Sequence, residues 1–317
     1  MAKVLVTGGA GFIGSHLADT LLKRNVKVRV IDNLSSGTLD NLKKHLGRPD
    51  FDFIKGDLLK AHNLPEVAKD CDSIFHFAAN PEVRISTTKP DVHFNQNVVA
   101  TYNLLEALRK ADRPSTILFA STSTVYGEAS KIPTPEDYGP LLPISVYGAS
   151  KLSCEALITS YAHLYGFRAI IFRLANIVGA RSAHGVIFDF INKLRDNPRR
   201  LEILGDGTQT KSYLHVSDCI GAMLTALGTS TNQVEIFNVG SEDWLSVKDL
   251  ARIVAEEMGL RNVDLAFTGG FGGRGWKGDV KDMLLDTSKI KSLGWNPKHN
   301  CKESVRIAAR ELLKGAP

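Results

Sequence analysis

Short apolar runs alternate with longer segments of helical period along the first half of the chain. Six runs predict β-strands: residues 3–6, 27–31, 52–55, 73–77, 116–119 and 169–174. Three amphipathic or apolar segments predict α-helices: residues 12–24, 91–110 and 146–165. Strands that alternate with helices are typical of right-handed crossovers, so the pattern predicts an α/β fold with a doubly wound parallel sheet covered on both faces.

The pattern becomes irregular after about residue 176. Turn residues cluster at 205–207 and 268–278, and helical periods return at 247–258 and 303–313. We therefore predict a sheet domain at residues 1–175. A smaller C-terminal substrate-binding lobe is predicted mainly at 176–317, with some of its segments returning to the sheet domain.

Composition excludes several classes of protein. Of 317 residues, 43% are hydrophobic and 23% are charged, which is typical of a globular chain and not of a disordered one. The net charge of +5 is spread among acidic residues, so nucleic acid is not an expected partner. The longest uncharged stretch is 219–234, which is too short and polar for a membrane span, and a secretory signal has no room before the first strand. We expect a cytoplasmic protein with no membrane partner.

The four cysteines and nine histidines suggest no metal or disulfide chemistry. The cysteines are widely separated and form no C-x-x-C pair, and the histidines show no metal-ligand spacing. The expectation is therefore no metal and four buried thiols.

A glycine-rich turn joins the first strand to the first helix. Gly8, Gly9, Gly11 and Gly14 permit a tight turn and close approach of a pyrophosphate, and Asp32 ends the second strand 18 residues after Gly14. A carboxylate there accepts hydrogen bonds from ribose hydroxyls and repels a 2′-phosphate. The segment predicts a Rossmann-type site for NAD rather than NADP; the alternative is a structural turn with Asp32 capping a loop.

A tyrosine and a lysine lie four residues apart in the predicted helix 146–165. Tyr147 and Lys151 would point from one helix face, and an ammonium with a positive nicotinamide ring favours phenolate. Such a pair can remove a proton from an alcohol while hydride leaves its carbon. Hydroxyls at 121–124, where the fifth strand ends, could bind the same oxygen. An ordinary helix pair and a Ser/Thr turn are the alternatives.

In this order, the motifs resemble the extended short-chain dehydrogenase/reductases that act on nucleotide sugars, an NAD-dependent epimerase/dehydratase family. The resemblance covers nearly the whole chain and rests on these segments: Thr7-Gly-Gly-Ala-Gly-Phe-Ile-Gly14, Asp32-Asn-Leu-Ser-Ser-Gly37, His76-Phe-Ala-Ala79, Ser121-Thr-Ser-Thr-Val-Tyr-Gly127, Tyr147-Gly-Ala-Ser-Lys151, Arg173-Leu-Ala-Asn176 and Leu293-Gly-Trp295.

The resemblance implies an isomerase that inverts C4 of a UDP-hexose, interconverting UDP-galactose and UDP-glucose through a 4-keto intermediate with retained NAD. Related dehydratases and decarboxylases carry acidic residues within the segment that here reads Thr122-Ser-Thr-Val-Tyr126, so dehydration is disfavoured. Two alternatives stay open: an epimerase for UDP-glucuronate or a UDP-N-acetylhexosamine, and a non-catalytic NAD-binding regulator.

The resemblance also implies site residues. Tyr147 would be the base, Lys151 would lower its pKa and hold the nicotinamide ribose, and Thr122 would assist at the sugar hydroxyl. The NAD site would be lined by Gly8, Gly11, Phe12, Ile13, Gly14, Asp32, Asn33, Leu34, Ser35, Ser36, Gly37, Asp57, Leu58, Phe77, Ala78, Ala79, Asn97, Tyr147 and Lys151. The nucleotide sugar would be held by Thr122, Asn176, Val186, Lys211 and Arg274; for the two cations the alternative is solvated surface charge.

The predicted helix 146–165 is apolar around much of its circumference, so it needs cover on more than one side. One explanation is burial under the C-terminal lobe. The other is a subunit interface shared with helix 91–110, which would make a homodimer with twofold symmetry.

Overall fold

The computed structural model describes residues 2–60, 63–111 and 116–315. Its strands are β1 Lys3–Thr7, β2 Lys27–Asp32, β3 Phe51–Lys55, β4 Ser73–His76, β5 Thr116–Thr122, β6 Arg168–Leu174, β7 Asn176–Val178, β8 Arg200–Ile203, β9 Thr210–Lys211, β10 Tyr213–His215, β11 Val234–Val239, β12 Leu245–Ser246, β13 Asp264–Phe267 and β14 Asp282–Met283.

The α-helices follow the same chain order. They are α1 Phe12–Lys23, α2 Leu64–Ala68, α3 Pro90–His93, α4 Ala100–Lys110, α5 Val146–Tyr165, α6 Val186–Asp196, α7 Val216–Thr229, α8 Val247–Glu257, α9 Ser288–Ser292 and α10 Cys301–Lys314. In the part of the chain that the structure describes, no helix combines the length and apolar character needed to cross a membrane.

A seven-stranded sheet dominates the fold, in the order β11-β6-β5-β4-β1-β2-β3. Strand β1 pairs in parallel with β2 on one side, Thr7 opposite Ile31, and with β4 on the other, Thr7 opposite His76. Strand order therefore reverses at β1, which creates a crevice at the carboxyl ends of β1 and β4 where α/β proteins bind ligands. The predicted doubly wound parallel sheet is confirmed.

The sheet strands read as apolar runs because they are buried on both faces. Leu5 of β1, Ile74 of β4 and Ile117 of β5 are at most 1% exposed, and they share one core with Leu104 of α4 and Ile158 of α5. The core fixes both helices against the sheet and so sets the positions of the residues at the strand ends.

The prediction of one regular α-helix over 91–110 is wrong in its middle. Between α3 and α4 the chain forms a π-helix at Phe94–Val99, which buries Asn97 to 1% exposure. A π turn changes the number of residues per turn, but six residues are too few for hydrophobic periodicity to reveal the change. Such turns occur often at functional sites.

The chain divides into two compact units. The first comprises Met1–Val125, Val146–Arg173 and Met223–Phe237, and the second comprises Tyr126–Ser145, Leu174–Ala222 and Asn238–Pro317. The second unit has its own core, in which buried residues of α6, α8 and α10 pack together. The predicted assignment of nucleotide-sugar binding to the C-terminal part of the chain stays a prediction.

Candidate active site

The glycine turn between β1 and α1 is held by close backbone contacts. Gly8 has a φ of 69°, and a Cβ there would lie 2.7 Å from the Ala78 nitrogen. A Cβ at Gly14 would lie 2.5 Å from the Gly8 oxygen. Gly11 caps α1 without a side-chain hydrogen bond, and the first turn, with Phe12 and Ile13, carries no acidic residue. The free N–H groups of this helix start therefore suit an anion.

Asp32 ends β2 beside the glycine turn and is 8% exposed. Its Oδ2 accepts a hydrogen bond from the Ala10 nitrogen at 3.0 Å, and its Oδ1 accepts one from the Leu34 nitrogen at 2.7 Å. Each oxygen retains a further lone pair for a ribose hydroxyl. The predicted segment 33–37 continues from Asp32 and returns to the turn, because a Cβ at Gly37 would lie 2.7 Å from the Ala10 carbonyl carbon.

The other predicted NAD residues follow neighbouring strands. Asp57 and the buried Leu58 follow β3, with Asp57 Oδ1 accepting from the Leu59 nitrogen at 3.0 Å. Residues 77–79 follow β4 and are partly exposed, and the Ala78 nitrogen donates to the Thr7 hydroxyl at 3.3 Å. The carboxyl ends of β1 to β4 thus share one edge of the sheet. The start of α1 can bind a pyrophosphate there, and the Asp32 carboxylate can accept hydrogen bonds from a ribose, so the edge fits a dinucleotide.

Asn97 lies within the π turn and connects two parts of this edge. Its Oδ1 accepts from the Asn80 nitrogen at 2.8 Å, and its Nδ2 donates to the Ser150 hydroxyl at 2.8 Å. Ser150 in turn donates to the Tyr147 carbonyl at 2.7 Å. These hydrogen bonds make Asn97 a link between the loop after β4 and the start of α5.

Tyr147 and Lys151 occupy the first two turns of α5, whose predicted bounds are confirmed. Lys151 is 3% exposed; its Nζ donates to the Ala120 carbonyl at 2.9 Å and lies 4.7 Å from the centre of the Phe119 ring. An ammonium has three donors, so donors remain for a ligand. Tyr147 is half-buried, and its spacing places it on the same helix face.

Burial controls the protonation of both groups in the chain alone. It raises the pKa of Tyr147 to about 12, and Cys154 acts in the same direction. It lowers the pKa of Lys151 to about 8, against the opposing effects of Cys154 and Glu155. The phenol is therefore protonated and the lysine is an ammonium at neutral pH before any ligand binds.

Thr122 is the last residue of β5 and is 8% exposed. Its hydroxyl accepts from the Thr124 nitrogen at 3.2 Å and lies 3.1 Å from the Thr124 hydroxyl. The strand runs three residues beyond its predicted end at 119, which brings Thr122 to the sheet edge one residue after Ser121 and two after Ala120.

Sequence reasoning assigned no role to His93 or to the Glu155–Arg173 ion pair. His93 is fully buried, both ring nitrogens lack a hydrogen-bond partner among the described residues, and its ring meets Tyr147 edge to face at 5.5 Å. Glu155 follows Lys151 by one helical turn and pairs with Arg173 of β6 at 2.8 Å. The sequence did carry a signal for the ion pair: Arg173 is a charged residue inside the otherwise apolar run 169–174 of strand β6.

The predicted sugar-binding residues of the second unit have partners of their own. Lys211 Nζ lies 3.1 Å from Asp279 Oδ1, and Arg274 donates to Glu128 Oε1 through Nε at 3.1 Å and Nη2 at 2.9 Å. Because Asp279 Oδ2 also accepts from the nitrogen of Gly275, one carboxylate connects Lys211 to the residue after Arg274.

Asn176 and Val186 lie in different parts of that unit. Asn176 is exposed, and its Nδ2 donates to the Ser212 carbonyl at 3.3 Å, next to Lys211 along the chain. Val186 begins α6 and packs against the core of the second unit. The structure thus ties Asn176 to the backbone next to Lys211 and gives Val186 a packing contact.

The glycine turn lies at the crevice where the strand order reverses, and the buried Lys151 lies on α5. This arrangement is that of an NAD-dependent short-chain dehydrogenase/reductase of the extended type. Residues 4–240 match the model of the NAD dependent epimerase/dehydratase family, and the chain belongs to this family. It is an NAD-dependent nucleotide-sugar epimerase.

Three similar proteins give the family context. The chain is 36% identical over 309 residues to the putative UDP-glucose 4-epimerase of Methanocaldococcus jannaschii, with 96% of each chain covered. It is similar to a crystal structure of a UDP-galactose 4-epimerase at 45% identity and a TM-score of 0.86, covering 98% of this chain and 99% of that one. It is also similar to UDP-glucuronic acid 4-epimerase from Bacillus cereus in complex with UDP-glucuronic acid and NAD, at 30% identity and a TM-score of 0.89, with the same coverage.

Proposed function

We propose that the protein is a UDP-glucose 4-epimerase that interconverts UDP-galactose and UDP-glucose. The observation that carries the proposal is the pair Tyr147 and Lys151 on α5, with Thr122 at the adjoining end of β5. The names of the first two similar proteins support this choice of sugar.

Tyr147 is the proposed base. Its phenolate takes the proton from the sugar 4-hydroxyl, and the Thr122 hydroxyl hydrogen-bonds the same oxygen. Bound NAD supplies a reversible two-electron acceptor for the hydrogen on C4, so the sugar passes through a 4-ketone. The phenol returns its proton when the opposite face of the ketone is reduced, and the net reaction consumes no cofactor.

Lys151 is proposed to lower the pKa of Tyr147 so that the phenolate can form at neutral pH. Burial alone raises the pKa of Tyr147 to about 12, which opposes ionisation at neutral pH. The Lys151 ammonium and the positive ring of bound NAD favour the phenolate by opposite charge. The remaining donors of Lys151 are proposed to bind the nicotinamide ribose.

The strand-end segment favours epimerisation over elimination of water. Residues 120–127 carry hydroxyls at Ser121, Thr122, Ser123, Thr124 and Tyr126 and no carboxylate. Elimination needs an acid and a base beside the reacting carbons, whereas inversion at C4 needs the redox groups alone.

The second unit is proposed to hold the nucleotide part of the substrate. Lys211 and Arg274 are the proposed diphosphate ligands, and Asn176 and Val186 are proposed to contact other parts of the nucleotide sugar. The Lys211 side chain is 14% exposed, which argues against a solvated surface charge. Both cations bind carboxylates in the chain alone, so a diphosphate would compete with Asp279 and Glu128 for them.

A panel of substrates tests the proposal. Purified protein is incubated with UDP-galactose, UDP-glucuronate or UDP-N-acetylgalactosamine without added cofactor, and products are separated by anion-exchange chromatography. We expect UDP-glucose to form fastest. Turnover of UDP-glucuronate alone would support the alternative suggested by the Bacillus cereus enzyme. Bound NAD without turnover of any sugar would favour a regulator.

A homodimer is the proposed assembly. Phe94, Tyr102, Leu164 and Tyr165 are 45–73% exposed, and they belong to the helical segments that the sequence suggests for an interface. Apolar side chains grouped in this way are typical of a contact surface. Light scattering that finds only monomers at micromolar concentration would contradict the dimer.

A further inference from the structure

A buried ion pair ties α5 to two strands of the sheet beside the predicted catalytic pair. Arg173 of β6 donates to Glu155 Oε2 through Nη2 at 2.8 Å, and its Nε lies 3.2 Å from both carboxylate oxygens. The two side chains are 4% and 5% exposed. The Ser121 hydroxyl of β5 also donates to Glu155 Oε1.

Glu155 and Lys151 act on successive residues of the same strand. Lys151 donates to the carbonyl of Ala120, and Glu155 accepts from the side chain of Ser121. The next residue of β5 is Thr122. Two successive turns of α5 are therefore fixed to the end of the strand that carries the proposed sugar ligand.

Glu155 is also a carboxylate neighbour of Lys151, and it opposes the lowering of the lysine pKa by burial. Four other titratable groups face the lysine: Tyr147 and Cys154 on α5, His76 on β4 and His93 on α3. Burial raises the pKa of Tyr147 to about 12 and raises that of Cys154, so both are protonated in the chain before NAD binds. Burial lowers the pKa of His76 to about 3 and lowers that of His93, which Glu82 opposes, so both are neutral. Arg173 pairs with Glu155 at 2.8 Å, and of the two it is the Glu155 carboxylate, one helical turn after Lys151, that acts on the lysine pKa.

We propose that Glu155 is a positioning residue for Tyr147 and Lys151: its carboxylate fixes α5 on the end of β5 and keeps Lys151 an ammonium. The inference rests on the proposed function of those two residues. A buried ion pair adds little stability compared with apolar side chains of the same volume, so stability alone does not account for it.

The direction in which loss of Glu155 shifts the pH profile follows from the pKa of Lys151. Burial lowers the pKa of Lys151 to about 8, and the Glu155 carboxylate opposes that shift. Lys151 is charged below its pKa, so a lower pKa removes the ammonium at a lower pH. Loss of Glu155 should therefore move the alkaline limb of the kcat profile toward neutral pH.

The test compares Glu155→Gln with the wild-type holoenzyme. The pH profile of kcat is measured, and the ¹³Cε signal of Lys151, assigned by its loss in Lys151→Met, is titrated by NMR. We expect the alkaline limb and the NMR midpoint to fall by about half a pH unit or more. Glu257→Gln is the matched control, because Glu257 binds Arg306 and Arg310 at 2.6 Å within the second unit. The control should leave the Lys151 midpoint unchanged.

Glu155→Gln leaves the buried charge of Arg173 without the Glu155 carboxylate, so a second variant guards against misfolding. Glu155→Met with Arg173→Met removes both charges and still removes the carboxylate, so the Lys151 midpoint should again fall. A folded variant with an unchanged midpoint and an unchanged limb would overturn the proposal. A fallen midpoint in a protein that turns over no sugar would support the role of Glu155 and reject the proposed function.

Discussion

Replacing Asp32 by asparagine tests the cofactor site at its charged residue. The carboxylate accepts from the Ala10 nitrogen at 3.0 Å and from the Leu34 nitrogen at 2.7 Å. Asparagine has one side-chain oxygen, so one of these two hydrogen bonds is lost. The side-chain NH2 group then faces a backbone N–H group, and two donors cannot bond to each other. A hydrogen bond to a charged group contributes about 1.5–3 kcal/mol, so the free energy of unfolding should fall by about 2 kcal/mol.

Cofactor binding should change by a similar amount. The loss of charge-assisted bonds to the ribose hydroxyls, about 1.5–3 kcal/mol, weakens NAD roughly 10-fold to 100-fold. Without the negative charge, a 2′-phosphate is no longer repelled, so the preference for NAD over NADP should shrink.

The assay is isothermal titration of each dinucleotide into wild type, Asp32→Asn and Asp70→Asn after the retained cofactor has been removed from each. Asp70 is a matched control because its carboxylate is 68% exposed and pairs only loosely, at 3.8 Å, with Lys3. A folded Asp32→Asn protein with wild-type selectivity between NAD and NADP would refute the assignment.

Three further variants test separate parts of the account. Tyr147→Phe should keep NAD through gel filtration but lose at least about 100-fold in kcat, and an unaffected rate would reject Tyr147 as the base. His93→Phe should raise the free energy of unfolding by about 1–2 kcal/mol in urea titrations, because it removes two buried nitrogens that have no hydrogen-bond partner among the described residues; a destabilised variant would contradict this expectation. Gly14→Ala should lose about 1–3 kcal/mol of stability and release NAD, since its Cβ would meet the Gly8 oxygen at 2.5 Å. Gly228→Ala in α7, where a Cβ meets nothing within 4 Å, is its control and should lose neither.

The sheet could be predicted from sequence because buried parallel strands are continuous apolar runs. Strand β5 was predicted too short, because Ser121 and Thr122 are polar and suggest a turn although both are buried. The π turn was missed for a different reason: it spans only six residues, too few to show a period that differs from that of an α-helix.

Residues 126–145 show the limit of local patterns. They belong to the second unit although they lie between two segments of the first. Their contacts are distant in sequence; the Asn238 nitrogen, for example, donates to Glu136 Oε1 at 2.8 Å. Periodicity within a short window carries no information about such pairs.

The order of motifs predicted which residues gather at the sheet edge, but not their electrostatics. A lysine four residues from a tyrosine suggests a lowered phenol pKa, whereas burial raises the pKa of Tyr147 in the chain alone. The depth of burial and the carboxylate partners of Lys211 and Arg274 depend on packing across the unit. Such features become visible only in three dimensions.

The central claim is that a sugar carbon is oxidised and then reduced within one site by a retained cofactor. The most direct measurement uses UDP-galactose deuterated at C4, incubated with the purified protein in ordinary water without added NAD. The account predicts UDP-glucose that keeps its deuterium at C4, as read by NMR and mass spectrometry. Product that has exchanged this deuterium for solvent hydrogen would contradict it.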